Sequence, residues 1–179
     1  MPSLPNSPSL RLKVRNYRAR FRAQGLRPIQ IWVPDVRTAA FKAEAHRQSL
    51  AVANTAGEAE DQAFIDAVSA LSGGRTYAGK PRPTVILQDD SFDATDSITI
   101  CAFTSNEQEA PLFRIPILPS ERNGLRTPSR LMVDKITTVP KTKMGGLIGR
   151  LDDEDMLRLN RAILVFLGLA ASPKQSRLP

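Results

Sequence analysis

The chain has 179 residues, of which 41% are hydrophobic and 24% charged, a composition suited to one domain of ordinary size or two small ones. Its formal net charge of +7 and its pI near 10.1 favour polyanionic partners without distinguishing DNA from RNA. A single cysteine, Cys101, excludes an internal disulfide and a zinc site built from several cysteines, and the sequence predicts neither a secretion signal nor a membrane span.

The first patterned segment of the chain is basic. Residues 1–9 contain three prolines and three serines, which predicts a disordered tail. Residues 10–27 then carry seven basic residues and no acidic one, with apolar residues at helical spacing. Such a helix is either a solvated surface element or an arm that contacts phosphates, and the absence of acids favours the arm. The candidate contact residues are Arg18, Arg20, Arg22 and Arg27.

A strand and two helices are predicted next. Apolar residues alternate over residues 29–33, and helical spacing follows over residues 38–54. Thr55 and Glu58 have the spacing of a capping box, which would open a second helix that ends near residue 71. Strand, helix and helix in this order are the plan of the ribbon-helix-helix fold. Because a lone strand cannot satisfy its edges, two chains must pair their strands, and a dimer is predicted.

The paired strands of such a dimer enter the major groove of DNA and read base edges. The reading residues here would be Gln30, which suits adenine, and Trp32, which could equally pack against the basic helix. The segment Tyr17–Asp35 resembles the MazE-family antitoxins that are encoded beside RNA-cleaving toxins. This resemblance covers about residues 10–71 and implies binding to operator DNA.

The second half of the chain follows the junction Ser72–Arg75 and is predicted to be mostly short strands. Their apolar patterns lie at residues 84–88, 98–103, 112–118, 130–133, 136–139 and 148–151. Pro116 assigns the third of these strands to a sheet edge or a bulge. A final amphipathic helix begins after Asp152, whose side chain caps it, and closes at Gly168.

One stretch of this half carries a distinctive motif. Arg82 stands between two prolines and precedes an apolar strand, and the next strand ends at Thr104 and Ser105. The same pattern includes Gln88–Asp90 and Ser129–Lys135. Together these residues resemble the MazF/PemK family of RNA-cleaving toxins. The resemblance spans about residues 73–170 and implies a small SH3-like, PemK-type β-barrel sheet.

The two resemblances predict an α+β chain with two joined parts: a ribbon-helix-helix-like segment, then the barrel-like sheet with a packing C-terminal helix. The predicted divisions are a disordered tail at 1–9, a MazE-like DNA-binding segment at 10–72, a MazF/PemK-like toxin domain at 73–171 and a tail at 172–179. The expected compartment is the cytoplasm.

Toxins of this family cleave RNA without a metal or cofactor. The ribose 2′-hydroxyl attacks the adjacent phosphate, which gives a 2′,3′-cyclic phosphate and a 5′-hydroxyl end. By the matching motif, Arg82 is the central catalytic residue, because its guanidinium suits the phosphorane, and Thr104 donates a hydrogen bond to a phosphate oxygen. Lys80 adds positive electrostatic potential at the site, and Ser105 helps to hold the scissile phosphate. Without the family pattern, the sequence predicts only an exposed loop residue at Arg82 and a structural residue at Thr104.

The chain departs from the family in one respect. These toxins begin with an apolar strand inside the sheet, whereas residues 64–72 of this chain have helical spacing. The sequence therefore predicts an antitoxin joined to a toxin that lacks its first strand. Because losing an interior strand leaves backbone groups unpaired, we expect an impaired or restrained ribonuclease.

Two other readings remain open: an active, sequence-specific mRNA endoribonuclease, and a decayed fusion that retains only DNA-binding or interaction roles. The predicted partners are single-stranded mRNA, operator DNA, and either a second copy of the chain or cognate MazE- or MazF-type subunits, with no membrane.

Overall fold

The computed structural model describes residues 10–69 and 81–170. The predicted tails at 1–9 and 172–179, the junction Ser72–Arg75 and the candidate residue Lys80 lie outside these ranges. The chain divides into two compact units, one up to Trp32 and one from Val33 onward. Among the described residues, no helix is long and apolar enough to cross a membrane.

The first unit contains the basic helix α1 (Leu10–Ala23), as the spacing predicts. The rings of Tyr17 and Phe21 lie 4.6 Å apart at their centroids along its thin apolar stripe, and Tyr17 remains 59% exposed. The strand predicted at residues 29–33 is not formed, and Trp32 is 78% exposed. Since that strand needs a second chain to pair with, the ribbon remains a prediction for a dimer.

The second unit begins with two helices, α2 (Ala39–Ala53) and α3 (Glu58–Ser69). Thr38 caps α2 by accepting a hydrogen bond from the Phe41 backbone N–H at 3.1 Å. The capping box predicted at Thr55 is wrong, because its hydroxyl donates to the Ala51 carbonyl of the preceding helix at 2.9 Å. The helix α3 instead begins at Glu58, three residues after Thr55.

The sheet contains five antiparallel strands in the described part of the unit, and all of its pairings except one involve the longest strand. The strands are β1 (Thr84–Ile86), β2 (Ser97–Thr104), β3 (Arg114–Ile117), β4 (Ser129–Met132) and β5 (Thr137–Pro140). The strand β2 pairs with β1, β4 and β5, and β3 extends the sheet beyond β4. Pro116 therefore lies in an edge strand, as predicted.

The strand predicted at residues 148–151 is wrong. This segment lies against the turn at residues 120–124, where the Arg150 backbone N–H donates to the Arg122 carbonyl at 2.8 Å. A Cβ on Gly149 would approach the carbonyl carbon of Asn123 within 2.4 Å, so only glycine allows this close contact. The segment thus packs as an irregular chain on a turn.

The C-terminal helix α4 (Asp153–Phe166) begins as predicted, with the Asp152 carboxylate accepting from the Asp155 backbone N–H at 2.8 Å. Gly168 ends it with a positive φ of 73°. The helix buries Leu159 and Ala162 in the main core. Phe166 and Leu167, which the apolar pattern places on the same face, remain 45% and 58% exposed.

Two apolar clusters cover opposite faces of the sheet. Successive residues of a strand point to opposite faces, so Cys101 and Phe103 join the core that includes α4, whereas Ala102 points the other way. Phe64 and Ile65 of α3 pack on this second face. Residues 33–69 form helices and no strand. Through Phe64 and Ile65, the helix α3 of the antitoxin-like segment covers the second face of the sheet.

Candidate active site

Thr104 lies at the end of β2 on the face that α3 covers. It follows Ala102 by two residues, and the alternation of a strand therefore directs both side chains to the same side. The buried Thr104 hydroxyl donates to Asp61 Oδ1 on α3 at 2.9 Å. The Thr104 hydroxyl oxygen also accepts from the Asn106 backbone N–H at 3.1 Å, which fixes the rotamer of Thr104.

Arg82 reaches the same carboxylate from the chain just before β1. The carbonyl of Pro83 accepts from the Phe103 backbone N–H at 3.0 Å, which holds this chain beside the end of β2. Arg82 Nη1 then donates to Asp61 Oδ1 at 2.5 Å, and its Nη2 donates to Glu60 Oε1 at 2.9 Å. Its guanidinium carbon also lies 5.1 Å from the centroid of the Phe64 ring.

The two residues that the sequence assigns to catalysis therefore share one carboxylate oxygen. Arg82 is 15% exposed at its side chain and Asp61 is 2% exposed, so this contact lies at a nearly closed surface. Ser105 follows Thr104 and is exposed. The candidate DNA-binding residues are all exposed in the first unit, and they are Arg18, Arg20, Arg22, Arg27, Gln30 and Trp32.

A second cation, Arg114 of β3, completes the site and is not assigned by the sequence. Its Nη1 donates to Asp61 Oδ2 at 3.0 Å, and its Nη2 donates to Glu58 Oε2 at 3.1 Å and to Asp134 Oδ2 at 2.8 Å. Its side chain is 2% exposed. An arginine at an inward position of an otherwise apolar strand is the signal that could have identified it.

Lys135 extends this cluster along α3. Its Nζ lies 2.6 Å from Glu58 Oε1 and donates to Gln62 Oε1 at 2.7 Å. Burial raises the pKa of Asp134 above its ordinary value, and the adjacent Arg114 guanidinium opposes that shift. Three cations outside α3 thus face three carboxylates of α3 and one further carboxylate. The cations are Arg82, Arg114 and Lys135, and the carboxylates are Glu58, Glu60 and Asp61 of α3 together with Asp134.

Further polar contacts hold the helical pair on the sheet. Gln48 of α2 is buried, and its Oε1 accepts from the Leu112 backbone N–H at 2.9 Å. Lys143 Nζ donates to the carbonyls of Ala67 and Val68 at 2.9 and 3.1 Å, near the negative end of α3. The acidic N-terminal turn of α3 and its C-terminal carbonyls are therefore both matched by cations of the sheet domain.

The geometry resembles that of an occupied anion site. The Asp61 carboxylate presents two oxygens, of which Oδ1 binds Arg82 and Thr104 while Oδ2 binds Arg114. Two guanidinium groups and a hydroxyl that converge on one small anion are the donors that phosphate oxygens require. While Asp61 remains there, these donors are engaged by a carboxylate.

This chain belongs to the PemK-like, MazF-like toxins of type II toxin-antitoxin systems, whose family model matches residues 67–167. The model of the MazE-like antitoxins matches residues 11–74. The polypeptide is thus a fusion of a MazE-like antitoxin domain with a MazF/PemK endoribonuclease toxin domain. This confirms both resemblances and the α+β fold class.

Relatives of each part come from Mycolicibacterium smegmatis. Over 94 residues the chain is 54% identical to a probable endoribonuclease MazF, which covers 52% of this chain and 86% of that protein. Over 57 residues it is 63% identical to the antitoxin MazE, which covers 32% of this chain and 83% of that protein. A solved mycobacterial endoribonuclease in complex with its cognate antitoxin is 19% identical, with a TM-score of 0.44 over 52% of this chain and 87% of that one.

Proposed function

We propose that this protein is a metal-independent mRNA endoribonuclease that its own antitoxin-like helix holds in a restrained state. The single observation that carries the proposal is the position of Asp61, whose carboxylate binds both Arg82 and Thr104. A phosphodiester and Asp61 cannot occupy the same donors at once. Single-stranded RNA must therefore displace α3 before it is cleaved.

In the released state, each residue would have a defined role. Arg82 stabilises the charge that develops on the phosphorane as the 2′-hydroxyl attacks, and Thr104 donates to a phosphate oxygen. The backbone hydrogen bonds at Pro83 and Asn106 preorganise these two donors at the end of β2. The products would be a 2′,3′-cyclic phosphate and a 5′-hydroxyl end.

The restraint is stronger than a surface contact because the ion pairs that Asp61 makes with Arg82 and Arg114 are largely buried. Removing one partner of a buried pair leaves an uncompensated charge, whereas exposed pairs contribute little. Apolar packing of Phe64 and Ile65 adds to the docking of α3. We therefore expect RNA cleavage by the unmodified chain to be slow.

The test is cleavage of single-stranded RNA by the purified full chain in EDTA. Asp61→Asn keeps the shape of the side chain and removes its charge, so we expect cleavage to rise at least tenfold. Adding Arg82→Ala to this variant is expected to abolish it. Asp66→Asn is the matched control, because Asp66 lies on the same helix and contacts only Gln62 among the hydrogen bonds of the described residues.

Three outcomes separate the readings of the sequence. Equal, rapid cleavage by the unmodified chain and by Asp61→Asn would mean an unrestrained ribonuclease. An Asp61→Asn variant that melts cooperatively but does not cleave RNA would refute the proposal. A non-cooperative melt of the unmodified chain would favour a decayed fusion without present activity.

A second role is favoured by the exposure of Arg18, Arg20, Arg22 and Arg27 in the first unit. Together with the acid-free run of residues 10–27, it supports binding of residues 10–32 to operator DNA as a dimer. The test is a gel shift at increasing salt together with the oligomeric state of the free chain. A chain that remains monomeric and does not shift DNA would exclude this role.

A further inference from the structure

We propose that Arg114 is a second phosphate-binding residue of the ribonuclease site, which contacts the non-bridging oxygen that Arg82 and Thr104 leave free. This inference rests on the proposed ribonuclease function and assigns to it a residue outside the Arg82–Thr104 motif. It predicts that the scissile phosphate is held between two guanidinium groups.

The division of the Asp61 carboxylate supports this assignment. Its Oδ1 is bound by Arg82 at 2.5 Å and by Thr104 at 2.9 Å, and its Oδ2 is bound by Arg114 at 3.0 Å. A phosphodiester likewise carries two non-bridging oxygens on one atom. When it replaces the carboxylate, one of its oxygens meets each guanidinium.

Arg114 is positioned by the toxin domain and not by α3. Its backbone pairs with Met132 of β4, and its backbone N–H donates to the Ala110 carbonyl at 2.7 Å. Asp134 holds its Nη2 at 2.8 Å from within the same domain. Undocking of α3 removes Glu58 and Asp61 from Arg114 but leaves this anchor in place.

Arg114 also has donor capacity that the docked state leaves unused. Its Nε–H is buried and has no hydrogen-bond partner among the described residues. Buried donors in native proteins are nearly always paired, so an arginine kept in this state is poorly explained by stability alone. A phosphate, which offers several acceptor oxygens, has more capacity for these donors than one carboxylate does.

The charge balance changes sign when α3 leaves. In the docked state Arg82, Arg114 and Lys135 face the three acids of the first turn of α3 together with Asp134. After release, the same three cations face Asp134 alone. A site with two excess positive charges attracts a polyanion, and the planar fork of arginine suits its oxygens better than lysine does.

The opposing interpretation is that Arg114 serves only to dock α3. The two interpretations differ once α3 is released, so the test uses the full chain carrying Asp61→Asn. Two quantities are measured: the cleavage rate, and the salt dependence of binding to an oligoribonucleotide with 2′-O-methyl groups, which cannot be cleaved.

We expect Arg114→Gln to lower cleavage at least tenfold in this background and to reduce the salt slope of binding by about 0.7, the value for one phosphate contact on a single strand. Arg114→Lys should keep the slope while cleavage stays at least tenfold lower, because the ammonium lacks the fork. Arg158→Gln is the matched control, since Arg158 pairs with Asp155 on α4 outside this cluster. Its slope and rate should equal those of the parent.

Unchanged cleavage and slope in Arg114→Gln, together with loss of cleavage in Arg82→Ala, would overturn this inference and leave the proposed function standing. A parent Asp61→Asn variant that folds but does not cleave RNA would instead refute the proposed function. A thermal melt checks each variant. Should Arg114→Gln fail to fold, Arg114→Lys decides, since full cleavage by that variant would overturn the inference.

Discussion

The helices α1 and α3 both lie in the antitoxin-like segment, yet their charges are opposite. Residues 10–27 around α1 carry seven basic residues and no acidic one, whereas α3 carries four acidic residues and no basic one. The charges of α1 from Lys13 to Arg22 are exposed, and Asp61 of α3 is buried against cations. Under the proposed function, one helix attracts a polyanion, and the other takes the place of one.

Under the proposed function, this difference lets one antitoxin-like segment serve two purposes. A basic exposed helix gains affinity from phosphates in proportion to the counterions that it releases. An acidic helix competes with the same kind of ligand at the toxin domain. The predictions below test whether the two helices differ in this way, and they begin with the largest expected effect.

The largest effect is expected at Asp61. Replacing it by alanine leaves buried guanidinium groups without their shared counter-ion, which is expected to reduce the free energy of unfolding by about 3–5 kcal/mol. Glu60→Ala is the control, since Glu60 pairs with Arg82 but is 75% exposed. This substitution should reduce the free energy of unfolding by less than about 1 kcal/mol. Urea denaturation measures both. Equal losses of unfolding free energy in the two variants would show that the burial of Asp61 adds no stability beyond that of an exposed ion pair.

The next effect concerns apolar packing. Phe64→Ala on α3 removes a buried ring from the second face of the sheet and should cost about 3 kcal/mol. Tyr17→Ala on α1 removes an exposed ring and should change stability by no more than about 0.5 kcal/mol. Thermal melts compare the two variants. A larger loss for Tyr17→Ala would mean that α1 is buried in solution, for example in a dimer.

A further prediction uses Cys101, on the sheet face away from α3. Burial raises the pKa of its thiol to about 12 from an ordinary value of 9.0. Between these values the unfolded chain loses this proton and the folded chain keeps it, so stability should fall as pH rises, by about 1.4 kcal/mol per pH unit. The pH dependence of unfolding in Cys101→Ala should lack this component.

The same thiol reports on how α3 is released. If α3 undocks while the sheet stays folded, labelling of Cys101 by a thiol reagent at pH 8 should remain equally slow in the unmodified chain and in Asp61→Asn. Fast labelling of Asp61→Asn would show instead that loss of the contact unfolds the sheet. This outcome would remove the distinction between a restrained and a disrupted enzyme.

The smallest effect is expected in α1. Arg20→Ala should reduce the salt slope of DNA binding by about 0.9 and weaken binding to all sequences alike, because a phosphate contact carries no base information. Gln30→Ala should leave the slope unchanged and relax base preference. Gel shifts on two operator sequences distinguish these results. A change in slope for Gln30→Ala would contradict its assignment as a base reader.

Local patterns predicted much of the fold. The Asp152 cap of α4, its closing glycine and the edge position of Pro116 all depend on residues close together in sequence. The capping box at Thr55 failed because a neighbouring carbonyl of α2 accepts from its hydroxyl. The strand at 148–151 failed because the chain packs against a distant turn.

The candidate site shows the same limit. The family motif pointed to Arg82 and Thr104, but the amphipathic pattern of α3 could not say which surface the helix would cover. Asp61 lies 21 residues from Arg82 and 43 from Thr104, so no local rule connects them. Arg114 is separated from Asp61 by 53 residues and could have been noticed only as a charge among apolar neighbours.

That α3 and the sheet belong to one polypeptide has a consequence for dilution. A separate inhibitor dissociates when its concentration falls below its dissociation constant, whereas a tethered one experiences a local concentration set by the linker, about millimolar for a short flexible one. The fraction of molecules in which Asp61 covers Arg82 should therefore be the same at nanomolar and at micromolar protein. A cell that makes a few copies of this chain would hold them in the same state as a cell that makes thousands.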